Sequence, residues 1–131
     1  MKKILFLFFL FLPLTAFSQL SNGAYDIVKQ TSIVNGEEMF KTDKMLGTSF
    51  FIVDFQNSLI SFMVSDYIVA IYDISETLEH NGSTLYICKE RKTGASFKLM
   101  FKPHSTIKDA GELMITQSTK WLDFFTILKH K

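Results

Sequence analysis

Cysteine, proline and glycine are scarce in this 131-residue chain, and it has no strong excess of charge of either sign. The single cysteine, Cys88, leaves no internal disulfide to form. Its expected role is that of a buried thiol packing as a small hydrophobe. Two prolines and six glycines exclude a collagen-like or low-complexity linker character. Fourteen basic against thirteen acidic residues provide no strong field for nucleic acid or for an anionic membrane surface. A membrane-spanning helix needs about 20 apolar residues. The longest such stretch, residues 4–17, is shorter and carries Pro13 and Thr15.

That short stretch has the layout of a secretory signal. Lys2 and Lys3 form a positive start, Ile4 to Leu12 contain no polar side chain, and Ala16-Phe17-Ser18 supply small residues at the minus-three and minus-one positions. Cleavage is expected after Ser18, leaving residues 19–131 as a single domain beginning at Gln19. No cysteine follows the apolar run to carry a lipid, so no stable membrane anchor is expected after cleavage. The Lys-Lys start and the Phe-Ser-Gln junction resemble exports of Gram-negative bacteria, which implies a periplasmic or extracellular product. Without Lys2 and Lys3, twelve basic residues face thirteen acidic ones and the net charge becomes −1. Stability outside the cytoplasm must then come from apolar burial, for which the mature chain keeps nine phenylalanines, four tyrosines and Trp121.

Periodicity predicts strands almost throughout. Phe97, Leu99 and Phe101 alternate with Ser96, Lys98, Met100 and Lys102, the pattern of a half-buried strand. Further strands are expected at Tyr25–Val34, Glu37–Lys41, Ser49–Phe55, Leu59–Val64, Tyr67–Ile74, Thr84–Glu90, Glu112–Ser118 and Leu122–Leu128. Turn signals separate them at Asn35-Gly36, Gln56-Asn57, Ser65-Asp66, Asn81-Gly82 and Thr93-Gly94. Asp43–Leu46 and Ser105–Gly111 are each long enough for a helical turn.

Two-residue turns at Gln56-Asn57 and Ser65-Asp66 would set Val53 opposite Ile60 and Ile60 opposite Ile71. One face would then hold Phe51, Val53, Phe55, Ile60, Phe62, Val64, Tyr67, Val69 and Ile71. The Asn81-Gly82 turn sets Leu78 opposite Leu85 but also Glu76 opposite Ile87, a conflict that a β-bulge near Ser75 would repair. The fold class that follows is all-β: an antiparallel up-and-down meander of about seven to nine strands forming a small closed or partly open barrel, with a two-sheet β-sandwich as the alternative. The barrel architecture resembles that of the lipocalins at the level of fold alone. The Gly-x-Trp motif common near the first strand of that family is missing.

No catalytic, metal or cofactor motif stands out. There is no Gly-x-Ser-x-Gly elbow, phosphate-binding glycine loop, His-Glu-x-x-His helix or Cys-x-x-Cys pair. His80, His104 and His130 share no ligand spacing and are expected at the surface. Asp54 and Asp73 lie in apolar strands, but the register above sends them to opposite faces and so denies a paired-carboxylate site. Glu37-Glu38 reads as a solvated hairpin tip, and Lys89-Glu90-Arg91-Lys92 as a charged strand end of mixed sign. Trp121, which opens the last strand, is expected to plug one end of the barrel, with a stacking platform at a pocket mouth as the other reading. Catalytic activity is therefore not expected, and no ligand-binding residue can be named. Two functions remain: a binding module for a small apolar ligand, and a periplasmic or cell-surface protein-protein interaction module without a ligand cavity.

Overall fold

The computed structural model describes residues 20–42, 48–118 and 120–130; the expected signal segment and the helical turn expected at Asp43–Leu46 lie outside the described residues. Nine antiparallel strands follow one another along the chain: β1 (Gly23–Val34), β2 (Glu37–Thr42), β3 (Ser49–Asp54), β4 (Leu59–Val64), β5 (Tyr67–His80), β6 (Ser83–Glu90), β7 (Ser96–Pro103), β8 (Ala110–Ser118) and β9 (Trp121–Lys129). Each strand pairs with the next from β3 to β9, and β9 returns to β1. The result is a closed eight-strand barrel with β2 as an extra strand, and not a sandwich.

β1 closes the barrel by serving three neighbours. Along one edge it pairs with β9 from Tyr25↔Lys129 to Val34↔Trp121. Along the other, Gly23–Asp26 pair with β3, while Gln30–Val34 pair with β2. The β9 ladder skips Val28 between Ile27 and Lys29, a bulge that bends β1 where it changes partner. The β1–β2 hairpin turns at Asn35 and Gly36 (φ 53° and 81°), and β5–β6 at Asn81 and Gly82 (φ 49° and 79°). Positive φ at both central positions is what this turn type requires, so Asn-Gly is chosen by geometry.

The sequence register holds for β3–β4, where Val53 faces Ile60. The expected irregularity at Ser75 is also present: Ile74 faces Cys88 and Glu76 faces Ile87. Between β4 and β5 the register must be corrected. Val64↔Tyr67 and Met63↔Ile68 pair as expected, but Val69 is bulged, so Phe62 faces Ala70 and Ile60 faces Tyr72 instead of Ile71. One inserted residue exchanges the faces of all that follow. Tyr72 is therefore buried, Ala70 and Ile74 pack against the core, and Val69 and Tyr67 are 55% and 77% exposed. The Ser105–Gly111 segment forms bends and a turn rather than a helical turn, with β8 starting at Ala110.

Eight strands enclose an interior just wide enough for side chains to fill. Here Tyr25, Ile27, Phe51, Ile60, Tyr86, Leu99, Leu113, Phe125 and Ile127 are all buried to below 2% exposure. Phe51 meets Phe62 and Phe125 at ring-centroid distances of 5.0 and 5.1 Å, and Phe62 meets Phe125 edge-on at 5.4 Å. Each such pair adds about 1 kcal/mol beyond the burial of its area.

One barrel end is closed by the chain preceding β1. Leu20 is 3% exposed, and its N–H donates to the Tyr86 hydroxyl at 3.2 Å. The Ser21 N–H donates to the Tyr25 hydroxyl at 3.0 Å. Phe55 stacks on Tyr86 at 5.9 Å, and its N–H donates to Asn22 Oδ1 at 2.7 Å. Trp121, expected as the plug, instead lies at the opposite end and is 55% exposed, its indole N–H donating to Asp123 Oδ1 at 3.3 Å.

Among the described glycines the tightest approach is at Gly111, opposite Pro103. A Cβ there would overlap the Lys102 carbonyl oxygen and sit 2.6 Å from the Phe101 ring. Gly111→Ala is expected to destabilise the barrel by at least about 2 kcal/mol, as overpacking against a fixed backbone does. A urea titration measures this; an unchanged midpoint would contradict the packing described.

Candidate functional site

Because the interior is filled, space for a ligand has to be sought where strands part. β7 and β8 separate at the barrel end opposite the Leu20 plug. Their ladder runs from Pro103↔Gly111 to Lys98↔Thr116 and stops there. β7 nevertheless begins earlier, at Ser96, and stays paired with β6 through Lys89↔Ser96. β8 runs on to Ser118 and stays paired with β9, with Gln117 bulged between Thr116↔Leu122 and Ser118↔Trp121. One lip of the split thus follows β6 and the other follows β9. Between them lies a cleft of about 370 Å³, lined by Ile87, Ser96, Phe97, Lys98, Met114, Thr116, Gln117 and Leu122.

Each lip is anchored independently. In the β6–β7 loop the Glu90 carboxylate accepts from the Thr93 N–H at 2.6 Å and from its hydroxyl at 3.0 Å, while the Gly94 N–H donates to the Glu90 carbonyl at 2.8 Å. Those donors, the Thr93 N–H foremost, hold the Glu90 carboxyl below its usual range. On the other lip the Thr116 hydroxyl donates to the Trp121 carbonyl at 2.8 Å. Phe97 is braced from behind by Tyr72, edge-on at 5.3 Å. Its walls therefore need little ordering when a ligand enters.

The residues singled out from sequence do not converge. His80 Nε2 lies 3.3 Å from the Asn81 amide nitrogen, and His130 Nδ1 lies 2.9 Å from Asp26 Oδ2. His104 Nδ1 accepts from the Thr106 and Ile107 N–H groups at 3.1 and 3.0 Å, which fixes the β7–β8 loop. No group of three metal-ligating side chains occurs among the described residues.

Asp54 and Asp73 require a correction. The Val69 bulge turns Asp73 outward, so both flank Leu59 in one row (Asp54↔Leu59↔Asp73) rather than lying on opposite faces. Each still has its own partner. The Asn57 side-chain amide donates to Asp54 at 2.7 Å, and Arg91 makes two hydrogen bonds to Asp73, at 2.7 and 3.1 Å. Both carboxyls are accordingly held below their usual range, Asp54 by Asn57 and Asp73 by Arg91. Neither has the raised affinity for a proton that a general acid needs.

Cys88 is buried as expected. Burial, helped by the Asp73 charge, pushes its thiol up to about 12, so the nucleophilic thiolate is suppressed. Sequence reasoning missed the cleft itself. Phe97, Met114 and Leu122 read only as strand residues, and the sole local sign of a parting was a polar residue at each lip, Ser96 and Gln117.

Comparison with family models, curated proteins and solved structures finds no match to this chain.

Burial also pushes the Tyr72 and Tyr86 hydroxyls up to about 12, Tyr72 with help from the nearby Asp123 and Glu90 charges. These acids resist ionisation in the folded state while the unfolded chain ionises at 10.0 for tyrosine and 9.0 for cysteine. Their contribution to stability is complete below those values and is lost as pH rises toward about 12. The urea midpoint is therefore expected to fall through this window, and Tyr72→Phe to make the fall shallower. A flat midpoint over the same window would contradict the burial of these groups.

Proposed function

We propose that this protein is an exported binding module that takes a small apolar ligand into the cleft between β7 and β8. The observation that carries this reading is an apolar cleft of about 370 Å³ with separately anchored lips, beside an interior already occupied by side chains. Its volume falls in the range of small-molecule sites, about 300–1,000 Å³. Ile87, Phe97, Met114 and Leu122 supply apolar wall, while Lys98 and Gln117 supply a few polar groups for orientation.

The signal segment supports export to the periplasm or beyond. Leu20, second in the chain after the expected cut, is already a core residue, so that cut spares the plug. N-terminal sequencing of the exported product checks this and is expected to begin at Gln19. Mechanistically the module is a receptor or carrier, and the ligand leaves unchanged.

A second reading, an interaction module, rests on the β4–β5 hairpin. Val64, Tyr67, Ile68 and Val69 are 37%, 77%, 59% and 55% exposed on adjoining positions. Exposed apolar side chains clustered at one hairpin suit contact with another protein surface, for which a second copy of the chain is the partner put to the test. Both readings face one experiment. Titration with pyrene, a neutral apolar fluorophore, is expected to saturate at one site and to weaken at least about tenfold in Leu122→Asp, since one buried leucine is worth roughly 2 kcal/mol. Ile68→Lys is expected to leave that binding unchanged. Non-saturating uptake, or loss in Ile68→Lys alone together with loss of concentration-dependent self-association, would overturn the cleft reading in favour of the hairpin.

A further inference from the structure

The cleft has an amphipathic layout, and its polar part carries a positive charge. Across the outer surface the ladder aligns Ile87↔Lys98↔Thr116↔Leu122 in one row. Lys98 is the residue at which the β7–β8 ladder ends, and it lines the cleft between Ile87 on one side and Thr116 on the other, with Leu122 beyond. A long lysine stem covers apolar surface while its ammonium reaches water. Arg91–Asp73 and His130–Asp26 are the ion pairs found among the described residues, and Lys98 belongs to neither. The charged residues at neighbouring outward positions are Lys89, opposite Ser96, Glu76, opposite Ile87, and Asp73, opposite Lys89. Asp73 is bound by Arg91, which leaves the two lysines facing Glu76.

Building on the cleft reading, we propose that the ligand is an amphiphilic anion, an acyl or arylalkyl carboxylate. Its apolar tail lies along Ile87, Met114 and Leu122, and its carboxylate meets the Lys98 ammonium, with Gln117 on the bulged lip as a further donor. An uncharged apolar molecule fills the same walls but leaves the cation unmatched. A cationic amphiphile meets Lys98 and Lys89 as like charges, which opposes binding. Specificity therefore comes from the head group, and most of the affinity from the tail. An exposed ion pair is worth about 0.2–1 kcal/mol, which sets the size of the preference.

The test uses the full mature chain with decanoate and decanol, which share a tail and differ in head-group charge. Binding is followed by NMR shifts of the Ile87 and Leu122 methyl groups. Decanoate is expected to bind roughly two- to fivefold more tightly than decanol. The preference is expected to shrink at high salt, disappear in Lys98→Met and return in Lys98→Arg. Equal binding of the two probes, or a preference that persists in Lys98→Met, overturns the carboxylate assignment and leaves the apolar cleft standing. Failure of both probes to move either methyl overturns the cleft reading as well. An unchanged backbone spectrum in Lys98→Met and Lys98→Arg separates these outcomes from misfolding.

Discussion

The β1–β9 ladder is the interaction on which the rest of this structure depends. It joins the two ends of the meander from Tyr25↔Lys129 to Val34↔Trp121, and without it the sheet would be open with two exposed edges. Closure also sets what the interior can hold. Eight strands leave a bore that side chains fill, and Phe51, Phe62 and Phe125 meet across it at 5.0 to 5.4 Å. With no internal disulfide available to Cys88, this filled and closed core must supply the cohesion that some small domains draw from cross-links.

A filled interior moves any binding capacity to the wall. The barrel opens where β7 and β8 part, past Lys98↔Thr116, because each strand keeps its other neighbour. That arrangement separates two tasks that a ligand-filled barrel combines. On the reading proposed above, the core supplies stability and the split, held by Glu90 on one lip and Thr116 on the other, supplies recognition. Substitutions at Leu122 or Lys98 can then change binding with little effect on folding, whereas changes at Phe51 or Gly111 act in the opposite way.

Much of the fold was legible in the sequence because turn chemistry and period-two alternation are local. Asn35-Gly36 and Asn81-Gly82 marked two hairpins, and the conflict between Glu76 and Ile87 was enough to place a bulge at Ser75. The Val69 bulge left no such trace. Tyr67 to Ile71 are all apolar or small, so an inserted residue there breaks no alternation, and the face of Tyr72 and Asp73 was misread in consequence. Trp121 was misplaced for a different reason: a large aromatic at a strand start reads as a plug, yet the Leu20–Asn22 segment takes that position at the other end. The cleft was invisible because it arises from where two ladders stop, a property of four strands together and of no single run.

The central proposal is that side chains fill the barrel and that a ligand meets it at the split. Xenon, a small apolar probe that enters dry cavities, tests this most directly through the methyl NMR spectrum. The expected result is a saturable shift of the Ile87, Met114 and Leu122 methyls with those of Ile60, Leu99 and Leu113 unmoved. Shifts at the interior methyls, with the cleft silent, would contradict it and return the binding site to the barrel's core.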